Sequence, residues 1–278
     1  MITGASGFLG SRSARYYESR YQVLTPSHKE LDLCQEEAVY RYLEKERPDD
    51  VFHCAAVSDT GRCQRDPEES RRLNVTAVEY LAKACNRVGA KLIFCSSDQI
   101  YFGASGMEAH GEEDAVSPVN IYGQQKLEAE QLCMEECPEA VCLRLSWMYD
   151  RKIRPGEHGN FLTTLLQAVK QGMNIRYPVY DYRGLTDVKL VVQELEKTFS
   201  LPGGIYNYGS GNDFSTYETV QRVMENCGFP LELLEKNETA LAEAPRNLCM
   251  NGEKAERYGI SFPDTLYRLI QVIKHTAE

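Results

Sequence analysis

The sequence contains no CxxC pair, although ten of its 278 residues are cysteine. Structural zinc sites need closely paired ligands of that kind, so no metal is expected. Several cysteines lie in apolar runs such as FHCAAV and LIFCSS, where a free thiol behaves as a small hydrophobic side chain. Because no export signal is recognisable, reduced core thiols are favoured over a framework of disulfides.

No stretch rich in lysine and arginine interrupts the chain, and 41 acidic against 31 basic residues give a formal net charge of −10. A face that tracks nucleic-acid phosphates is therefore not expected. No apolar run approaches the roughly 20 residues that cross a bilayer, so no membrane segment is expected. The opening MITGASGFLG lacks the basic start and apolar block of a secretory signal, which favours a cytoplasmic protein.

Strand-type and helix-type segments alternate over the first 145 residues. Such alternation predicts right-handed βαβ crossovers and a parallel sheet covered by helices on both faces. The fold class is therefore α/β, with a Rossmann-like doubly wound parallel sheet and a smaller C-terminal region. The predicted strands are Ile2–Thr3, Tyr21–Thr25, Val51–Ala56, Lys91–Cys95 and Ala140–Leu145, and the predicted helices are Phe8–Ser19, Glu36–Glu46, Pro67–Val88 and Ile121–Glu136.

The alternation is less regular after Trp147, and the C-terminal part is expected to pack onto the first domain. The segment YPVYDYRGLT reads as a loop, and Leu241–Met250 as loop or strand. Helices are predicted at Asn160–Gly172, Val188–Phe199 and Ser215–Cys227, with a strand at Gly204–Tyr208 and two helical pieces near Glu253 and Thr265.

Three spaced glycines, Gly4, Gly7 and Gly10, follow the first apolar residues and open a helical segment. A strand that turns sharply into a helix beside a pyrophosphate needs glycine, because the backbone comes too close for a Cβ. The helix N-terminus then offers free N–H groups to the phosphates. This context favours a dinucleotide site over a plain glycine turn. Only three residues precede Gly4, so the first strand is expected to be abbreviated, or the chain to start late relative to its natural start.

The segment Thr25–Lys29, about 20 residues past the glycine loop, contains no acid. NAD sites usually place an acid there for the ribose 2′-hydroxyl. Hydroxyls and a lysine suit a 2′-phosphate better, so NADP(H) is favoured, and NAD(H) remains the alternative because Asp32 lies close by. The expected cofactor-binding residues are Gly4, Ser6, Gly7, Phe8, Leu9, Gly10, Ser27, His28, Lys29, Asp32, Leu33, Cys54, Ala55, Ala56, Tyr122 and Lys126.

Tyr122 and Lys126 are four residues apart in a predicted helix and so share one face. The preceding strand ends in Ser96, Ser97 and Asp98, at the carboxyl edge where open α/β sheets bind ligands. A hydride that reaches a carbonyl carbon leaves an alkoxide that needs a proton. A tyrosine phenol can supply it if a nearby ammonium favours the phenolate, and a serine hydroxyl can bond the same oxygen.

These motifs together resemble the extended short-chain dehydrogenase/reductase superfamily and, more closely, the dTDP-4-dehydrorhamnose reductase family. The order and spacing of GASGFLG, HKELDL, FHCAAVS, FCSSDQIYFG, SPVNIYGQQKLEAEQ and LRLSWMY, followed by NFLTTLL, match that family. The tail PRNLCMNGEKAERYGI is similar to its C-terminal signature. The resemblance implies an NADP(H)-binding domain over 1–150, with 183–210 packing back onto it, and a substrate-binding region over 151–182 and 211–278.

The resemblance also implies the reaction, which is reduction of a 4-keto-6-deoxy nucleotide sugar on the route to dTDP-rhamnose. Tyr122 would donate the proton, Lys126 would tune it and hold the nicotinamide ribose, and Ser97 would orient the carbonyl. A homodimer is an assembly common among relatives. Trp147 is either a sugar contact or an ordinary core aromatic. The implied substrate-binding residues are Ser58, Ser97, Asp98, Trp147, Asn160 and Phe161.

Three departures from the family pattern lie on the substrate side. The family's acidic stretch reads Gly61-Arg62-Cys63-Gln64, its DQxGxPT segment is shortened to Asp181–Thr186, and its Arg-Pro reads Ala244-Pro245 with Arg246 one step late. A nucleotide-sugar epimerase therefore stays an alternative, as does a non-catalytic subunit of the type that binds methionine adenosyltransferase. Dehydration is disfavoured, because Gln99 after Asp98 cannot act as a base.

Overall fold

Short apolar segments build a parallel five-stranded sheet at the centre of the fold. The computed structural model describes residues 1–104, 106–154, 157 and 159–275. Its strands are β1 (Ile2–Thr3), β2 (Asp50–His53), β3 (Lys91–Ser97), β4 (Val141–Leu145), β5 (Trp147–Tyr149), β6 (Ile175–Pro178), β7 (Asp181–Arg183), β8 (Leu185–Asp187), β9 (Gly204–Tyr208), β10 (Leu234–Asn237) and β11 (Arg246–Leu248). The central sheet has the order β1-β2-β3-β4-β9, and all its pairs are parallel.

Helices cover both faces of this sheet. They are α1 (Phe8–Tyr17), α2 (Glu36–Glu46), α3 (Thr60–Arg65), α4 (Pro67–Arg71), α5 (Ala77–Val88), α6 (Ile121–Glu136), α7 (Phe161–Gln171), α8 (Val188–Glu194), α9 (Thr216–Cys227), α10 (Glu253–Glu256) and α11 (Thr265–Lys274). Leu43 of α2 and Leu81 of α5 are buried in one core with Phe94, whereas Leu9 of α1 and Val191 of α8 are buried in a second core. The doubly wound α/β prediction is therefore confirmed.

Local apolar spacing located most helices well. The observed bounds of α2 and α6 are those predicted, and α7 and α9 have Asn160 and Ser215 as their N-caps. The predicted helix Pro67–Val88 is interrupted by a π-helical turn at Arg72–Thr76, and the helix from Val188 tightens into a 3₁₀ turn at Leu195–Ser200. None of the helices among the described residues combines the length and apolarity that a membrane span needs.

The predicted strand Tyr21–Thr25 is wrong, and the shortness of β1 explains why. This segment lies beside β1, and the hydrogen bond from the Ile2 amide to the Leu24 carbonyl oxygen, 2.8 Å, joins the two. A two-residue strand offers too few partners for a ladder to continue. A cavity of about 180 Å³ lies at this place, lined by Met1, Val23 and Leu24 among others.

The segment predicted as a loop around Tyr177–Thr186 instead contributes β6, β7 and β8. Each pairs in parallel with a strand that is distant in sequence: β6 with β10, β7 with β11, and β8 with β5. Strands of three or four residues carry little alternation of their own, and their partners supply the stabilising contacts. Leu241–Met250, predicted as loop or strand, contains β11.

A third apolar cluster forms in the C-terminal region, where α7, α9 and α11 pack together. Leu165 of α7, Val223 of α9 and Leu269 of α11 are each fully buried in it. Strand β9 and helix α8 return instead to the central sheet and its covering layer. The proposed domain boundaries at 150, 183 and 210 stay a prediction.

Candidate active site

The glycine loop lies between β1 and α1, packed against the residues that follow β2. Gly4 has φ +68°, and a Cβ there would lie 2.6 Å from the Ala55 nitrogen, so no other residue fits without movement. A Cβ on Gly10 would lie 2.3 Å from the Gly4 carbonyl oxygen. Gly7 caps α1 without a side-chain hydrogen bond, and the first helical turn carries no acid. The positive end of the α1 dipole therefore has no acidic side chain beside it in the first turn, and Ser6 and Gly7 next to it are exposed. A phosphate site requires such an end.

The segment expected to bind at the ribose 2′ position is exposed, and an acid that was not among the predicted residues, Glu30, directly follows it. Ser27, His28 and Lys29 are all exposed. The Ser27 amide and hydroxyl both donate to Glu30 Oε2, at 2.8 and 2.7 Å. Both bonds lower the pKa of Glu30 below its usual value, and the bond from the Ser27 backbone amide has the larger effect. Asp32 accepts the Cys34 amide at 3.0 Å, so its carboxylate has a local partner in this turn.

The segment after β2 carries Cys54, Ala55 and Ala56, which are half-buried beside the glycine loop, and Ser58, which is exposed. Its anchor is Asn74, a residue that was not among those predicted from the sequence. Asn74 accepts the Val57 amide at 2.8 Å and donates to the Val57 carbonyl and to Gln125 Oε1, at 3.0 and 2.9 Å. This buried carboxamide therefore ties the loop after β2 to α6.

Helix α6 approaches the end of β3 because Gly123 has no side chain. A Cβ there would lie only 2.4 Å from the Gln99 carbonyl oxygen. Asn120 caps the helix by accepting the Gly123 amide at 2.6 Å, and its Nδ2 donates to Gln99 Oε1 at 2.9 Å. The close packing brings Tyr122 and Lys126, both buried, to the edge of the sheet where Ser97 lies.

The Lys126 ammonium is held under this edge by backbone and aromatic groups. Its Nζ donates to the Cys95 carbonyl oxygen at 2.8 Å and lies 4.7 Å from the centre of the Phe94 ring and 5.7 Å from that of Tyr122. Burial lowers its pKa to about 8. The side chain is therefore mostly cationic at pH 7, and a ligand that brings hydroxyl oxygens could stabilise the charged form.

Burial raises the pKa of the Tyr122 phenol, and the nearby Asp98 carboxylate raises it further, while a hydrogen bond with Ser97 offsets part of the shift. The net direction is upward, whereas the ammonium alone was expected to lower it. The ligand-free phenol is therefore protonated, which is the form that a proton donor needs.

Asp98 is fully buried beside Ser97. Ser97 donates its hydroxyl to Asp98 Oδ1 at 3.3 Å and accepts the Gln99 amide at 3.2 Å. Arg183 Nη2 donates to Asp98 Oδ2 at 3.1 Å. Burial raises the pKa of Asp98, and Arg183 opposes that shift. Arg183 thus joins the side chains at the end of β3, although in the sequence it was noted only as part of a segment that departs from the family pattern.

Trp147 is 40% exposed, which argues against an ordinary core aromatic. One face carries the Arg183 guanidinium, 4.6 Å from the ring centre, and Phe161 packs edge-on at 5.6 Å. The ring therefore extends the polar cleft with an apolar surface. Such a combination suits a sugar, which presents both C–H faces and hydroxyls.

Asn160 and Phe161, by contrast, have structural contacts. Asn160 Oδ1 accepts the Leu162 and Thr163 amides, while its Nδ2 donates to the Asp150 carbonyl oxygen at 2.7 Å. Phe161 is buried in the C-terminal cluster. Both support the cleft from behind through α7 and Trp147, and their proposed contact with substrate stays a prediction.

The late arginine of the C-terminal signature, Arg246, is already neutralised. Its Nε and Nη2 donate to the two carboxylate oxygens of Asp181, at 2.7 and 3.0 Å, and the guanidinium lies 5.2 Å from the Phe102 ring centre. This bidentate pair holds β11 against β7. Arg246 therefore attracts an anionic ligand more weakly than an unpaired arginine would.

Within the described part of the chain, no group of three or more His, Cys, Asp or Glu is arranged to hold a metal ion.

Several known proteins are similar to this chain. A family model described as the RmlD substrate binding domain matches residues 1–277. The dTDP-4-dehydrorhamnose reductase of Aggregatibacter actinomycetemcomitans is 27% identical over an alignment 298 residues long, gaps included, which covers 100% of this chain and 99% of the relative. Methionine adenosyltransferase 2 subunit beta of Danio rerio is 26% identical over 288, covering 96% and 87%.

Among solved structures, dTDP-4-dehydrorhamnose reductase from Bacillus anthracis str. Ames, in complex with NADP, superimposes with a TM-score of 0.85. It is 21% identical in sequence, and the match covers 99% of this chain and 98% of that one. The resemblance inferred from the motifs is confirmed, and with it the oxidoreductase class of the family.

Proposed function

This chain belongs to the RmlD substrate binding domain family, and we propose that it is an NADPH-dependent reductase of a 4-keto-6-deoxy nucleotide sugar. The observation that carries the proposal is the meeting of three side chains. Helix α6 brings Tyr122 and Lys126 to the carboxyl end of β3, where Ser97 lies. The residues needed to protonate and orient a carbonyl are thus present in one cleft beside the glycine loop.

The proposed chemistry assigns one task to each side chain. The Ser97 hydroxyl donates to the carbonyl oxygen at C4 and orients it. As the carbon accepts a hydride, the oxygen becomes an alkoxide, and the Tyr122 phenol transfers its proton to it. The Lys126 ammonium stabilises the resulting phenolate. The negative charge of Asp98 disfavours formation of that phenolate. Its pairing with Arg183 offsets this charge and so favours the reaction.

Reduced nicotinamide, when bound, supplies the hydride, and the residues present fit such a cofactor. Gly4 and Gly10 let the loop pack closely against Ala55 and against itself, where a Cβ would clash with backbone, and the α1 N-terminus that follows would hold the pyrophosphate. Lys126 would hold the ribose hydroxyls. NADP(H) remains favoured because Ser27, His28 and Lys29 are exposed at the 2′ position. Glu30 opposes a phosphate there, so NAD(H) stays the alternative.

A second candidate is a regulatory subunit of the methionine adenosyltransferase type. One observation favours it: Arg246, which stands one position after the place of the family's anion-binding arginine, is held by Asp181. The buried Tyr122 and Lys126 speak against it, because a binding subunit has no need of a proton donor. Catalysis therefore remains the leading proposal.

The deciding experiment is a panel of 4-keto nucleotide sugars assayed for NADPH consumption. Tyr122→Phe should lose most turnover and keep NADPH affinity. Tyr16→Phe, in the last turn of α1 and 39% exposed, is the matched control and should keep both. If the wild type consumes NADPH with no member of the panel, the reductase proposal fails. Stoichiometric NAD in the purified protein would instead support an epimerase, which holds its nucleotide through the catalytic cycle.

A further inference from the structure

Arg183 stands out in the cleft as a buried cation whose hydrogen-bonding capacity is largely unused. Its side chain is 10% exposed. Among the residues that the structure describes, Nη2 bonds to Asp98, whereas Nε is buried and has no partner. A guanidinium carries five N–H donors, and a buried donor without an acceptor destabilises a protein. Nη1 also has no hydrogen bond among the described residues, and unlike Nε it is not fully enclosed, so it is the donor that a ligand can reach.

The surroundings of Arg183 limit the chemistry of that ligand group. Asp98 neutralises the charge of Arg183, so the pair has little net attraction for an anion. A ligand carboxylate would also lie close to the Asp98 carboxylate and be repelled by it. A neutral oxygen suits the site better.

A hydroxyl satisfies both members of the pair. It can accept an Nη1–H of Arg183 and donate its own proton to a remaining lone pair of Asp98, whereas a ketone or ether oxygen can only accept. The half-exposed ring of Trp147, stacked on Arg183, adds the apolar surface that carbohydrate C–H groups contact. The site therefore fits a hydroxyl carried by a sugar ring.

The chain also indicates which hydroxyl. Asp98 directly follows Ser97 and bonds to it, and Ser97 is the residue proposed to orient the carbonyl at C4. The group that Asp98 and Arg183 bind must then lie next to the reacting carbon. In a 6-deoxy sugar with the ketone at C4, the neighbouring hydroxyl is the one on C3.

We propose that Arg183, positioned by Asp98 and Trp147, recognises the C3 hydroxyl of the keto sugar and so determines the substrate specificity of this enzyme. The inference rests on the proposed reductase function and deepens it. It assigns the chain to nucleotide sugars that keep a free hydroxyl beside the ketone, and it excludes 3-deoxy substrates and substrates carrying a carboxylate at that position.

The test compares a 4-keto-6-deoxy nucleotide sugar with its 3-deoxy analogue, using the full chain and NADPH. Wild type should prefer the hydroxylated substrate by at least about 100-fold in kcat/KM, because a site built for a hydroxyl leaves its own groups unpaired when that hydroxyl is missing. Arg183→Met should reduce the preference to within about tenfold, mainly through KM for the hydroxylated sugar. NADPH affinity should not change.

Arg183→Met leaves the Asp98 carboxylate buried without its partner, and the variant could fail to fold. Arg183→Lys retains the charge but loses the planar fork of guanidinium donors, so it should fold and still lose most of the preference. Arg222→Met removes an exposed arginine that also lies over an aromatic ring, that of Phe214 at 4.1 Å, and should behave as wild type. Equal loss on both sugars, or a wild type that does not distinguish them, would overturn the inference.

Failure of the reductase proposal gives a different result. If no keto sugar is turned over, calorimetric titration of NADP⁺-loaded protein with the same two sugars still measures the preference. Binding that favours the hydroxylated sugar in wild type but not in Arg183→Lys would support the role of Arg183 in a protein that is not a reductase. Equal affinities, or no binding of either sugar, would refute it.

Discussion

Replacing Gly123 by alanine tests whether the close packing of α6 on the end of β3 sets the geometry of the cleft. A Cβ at this position would lie 2.4 Å from the Gln99 carbonyl oxygen and 2.9 Å from Pro118 Cβ. The first distance falls about 1 Å short of the 3.4 Å at which ordinary van der Waals contact begins. Backbone cannot rotate away as a flexible side chain can, so the first turn of α6 must move by roughly that amount.

The expected effect on activity exceeds the effect on stability. Overpacking costs about 1–3 kcal/mol, but alanine in a helix recovers about 1 kcal/mol relative to glycine, so the net loss in unfolding free energy should be about 0–2 kcal/mol. Tyr122 moves with the helix, and a misplacement of about 1 Å can cost on the order of 100-fold in rate. We expect kcat to fall by about that factor.

The assay is NADPH oxidation with the active keto sugar, together with urea unfolding and NADPH titration of the same preparation. Gly252→Ala is the control, because its Cβ would meet nothing within 4 Å and its φ is −94°. A Gly123→Ala variant that turns over at the wild-type rate would show that Tyr122 does not depend on this contact. A variant that is slow only because it is unfolded at the assay temperature would also refute the reasoning.

Three further perturbations follow from the structure. Burial lowers the pKa of His53 to about 3, so below about pH 6.5 the unfolded chain binds a proton that the folded chain does not. The free energy of unfolding should therefore fall by about 2 kcal/mol from pH 6.5 to about 4.5. The urea midpoint of His53→Asn should fall less over the same range. Glu30→Gln removes a carboxylate beside the proposed 2′-phosphate site and should strengthen NADPH binding relative to NADH several-fold, measured by fluorescence titration. An unchanged ratio would place the 2′ group elsewhere. A short apolar extension fused before Met1 should fill the 180 Å³ cavity at β1 and raise both the melting temperature and cofactor affinity, and unchanged values would show that the cavity is not the weak point of the sheet.

The sequence predicted those parts of the fold whose signals are local. Helix α6 runs from Ile121 to Glu136 as predicted, because Asn120 caps it and the helix formers Gln, Glu, Lys and Leu continue to its end. The segment Tyr21–Thr25 has the composition of a strand but failed as one, since its ladder depends on a neighbour only two residues long. A segment with strand propensity forms a strand only when a neighbouring strand is long enough to pair with it.

The same distinction explains the site. Ser97 and Tyr122 could be placed together because the carboxyl ends of parallel strands meet at one edge. Arg183 could not, because its partner Asp98 lies 85 residues away in sequence and reaches it only through the pairing of short strands. Gly123 was passed over within the Tyr–Lys motif, although one glycine directly after the tyrosine is the signal that could have indicated close packing.

The arrangement of charge indicates how an acidic protein can bind anionic ligands. Three buried arginines and the half-buried Arg246 are paired with carboxylates: Arg12 with Asp150 and Glu157, Arg144 with Glu130, Arg183 with Asp98, and Arg246 with Asp181. Such pairs fix neighbouring elements but leave little net positive field. Affinity for a pyrophosphate must then come from the backbone N–H groups at the start of α1, where no acid lies in the first turn. Because those groups are dipoles at short range, the net charge of −10 does not decide whether the cofactor binds, whereas a single Cβ at Gly4 would.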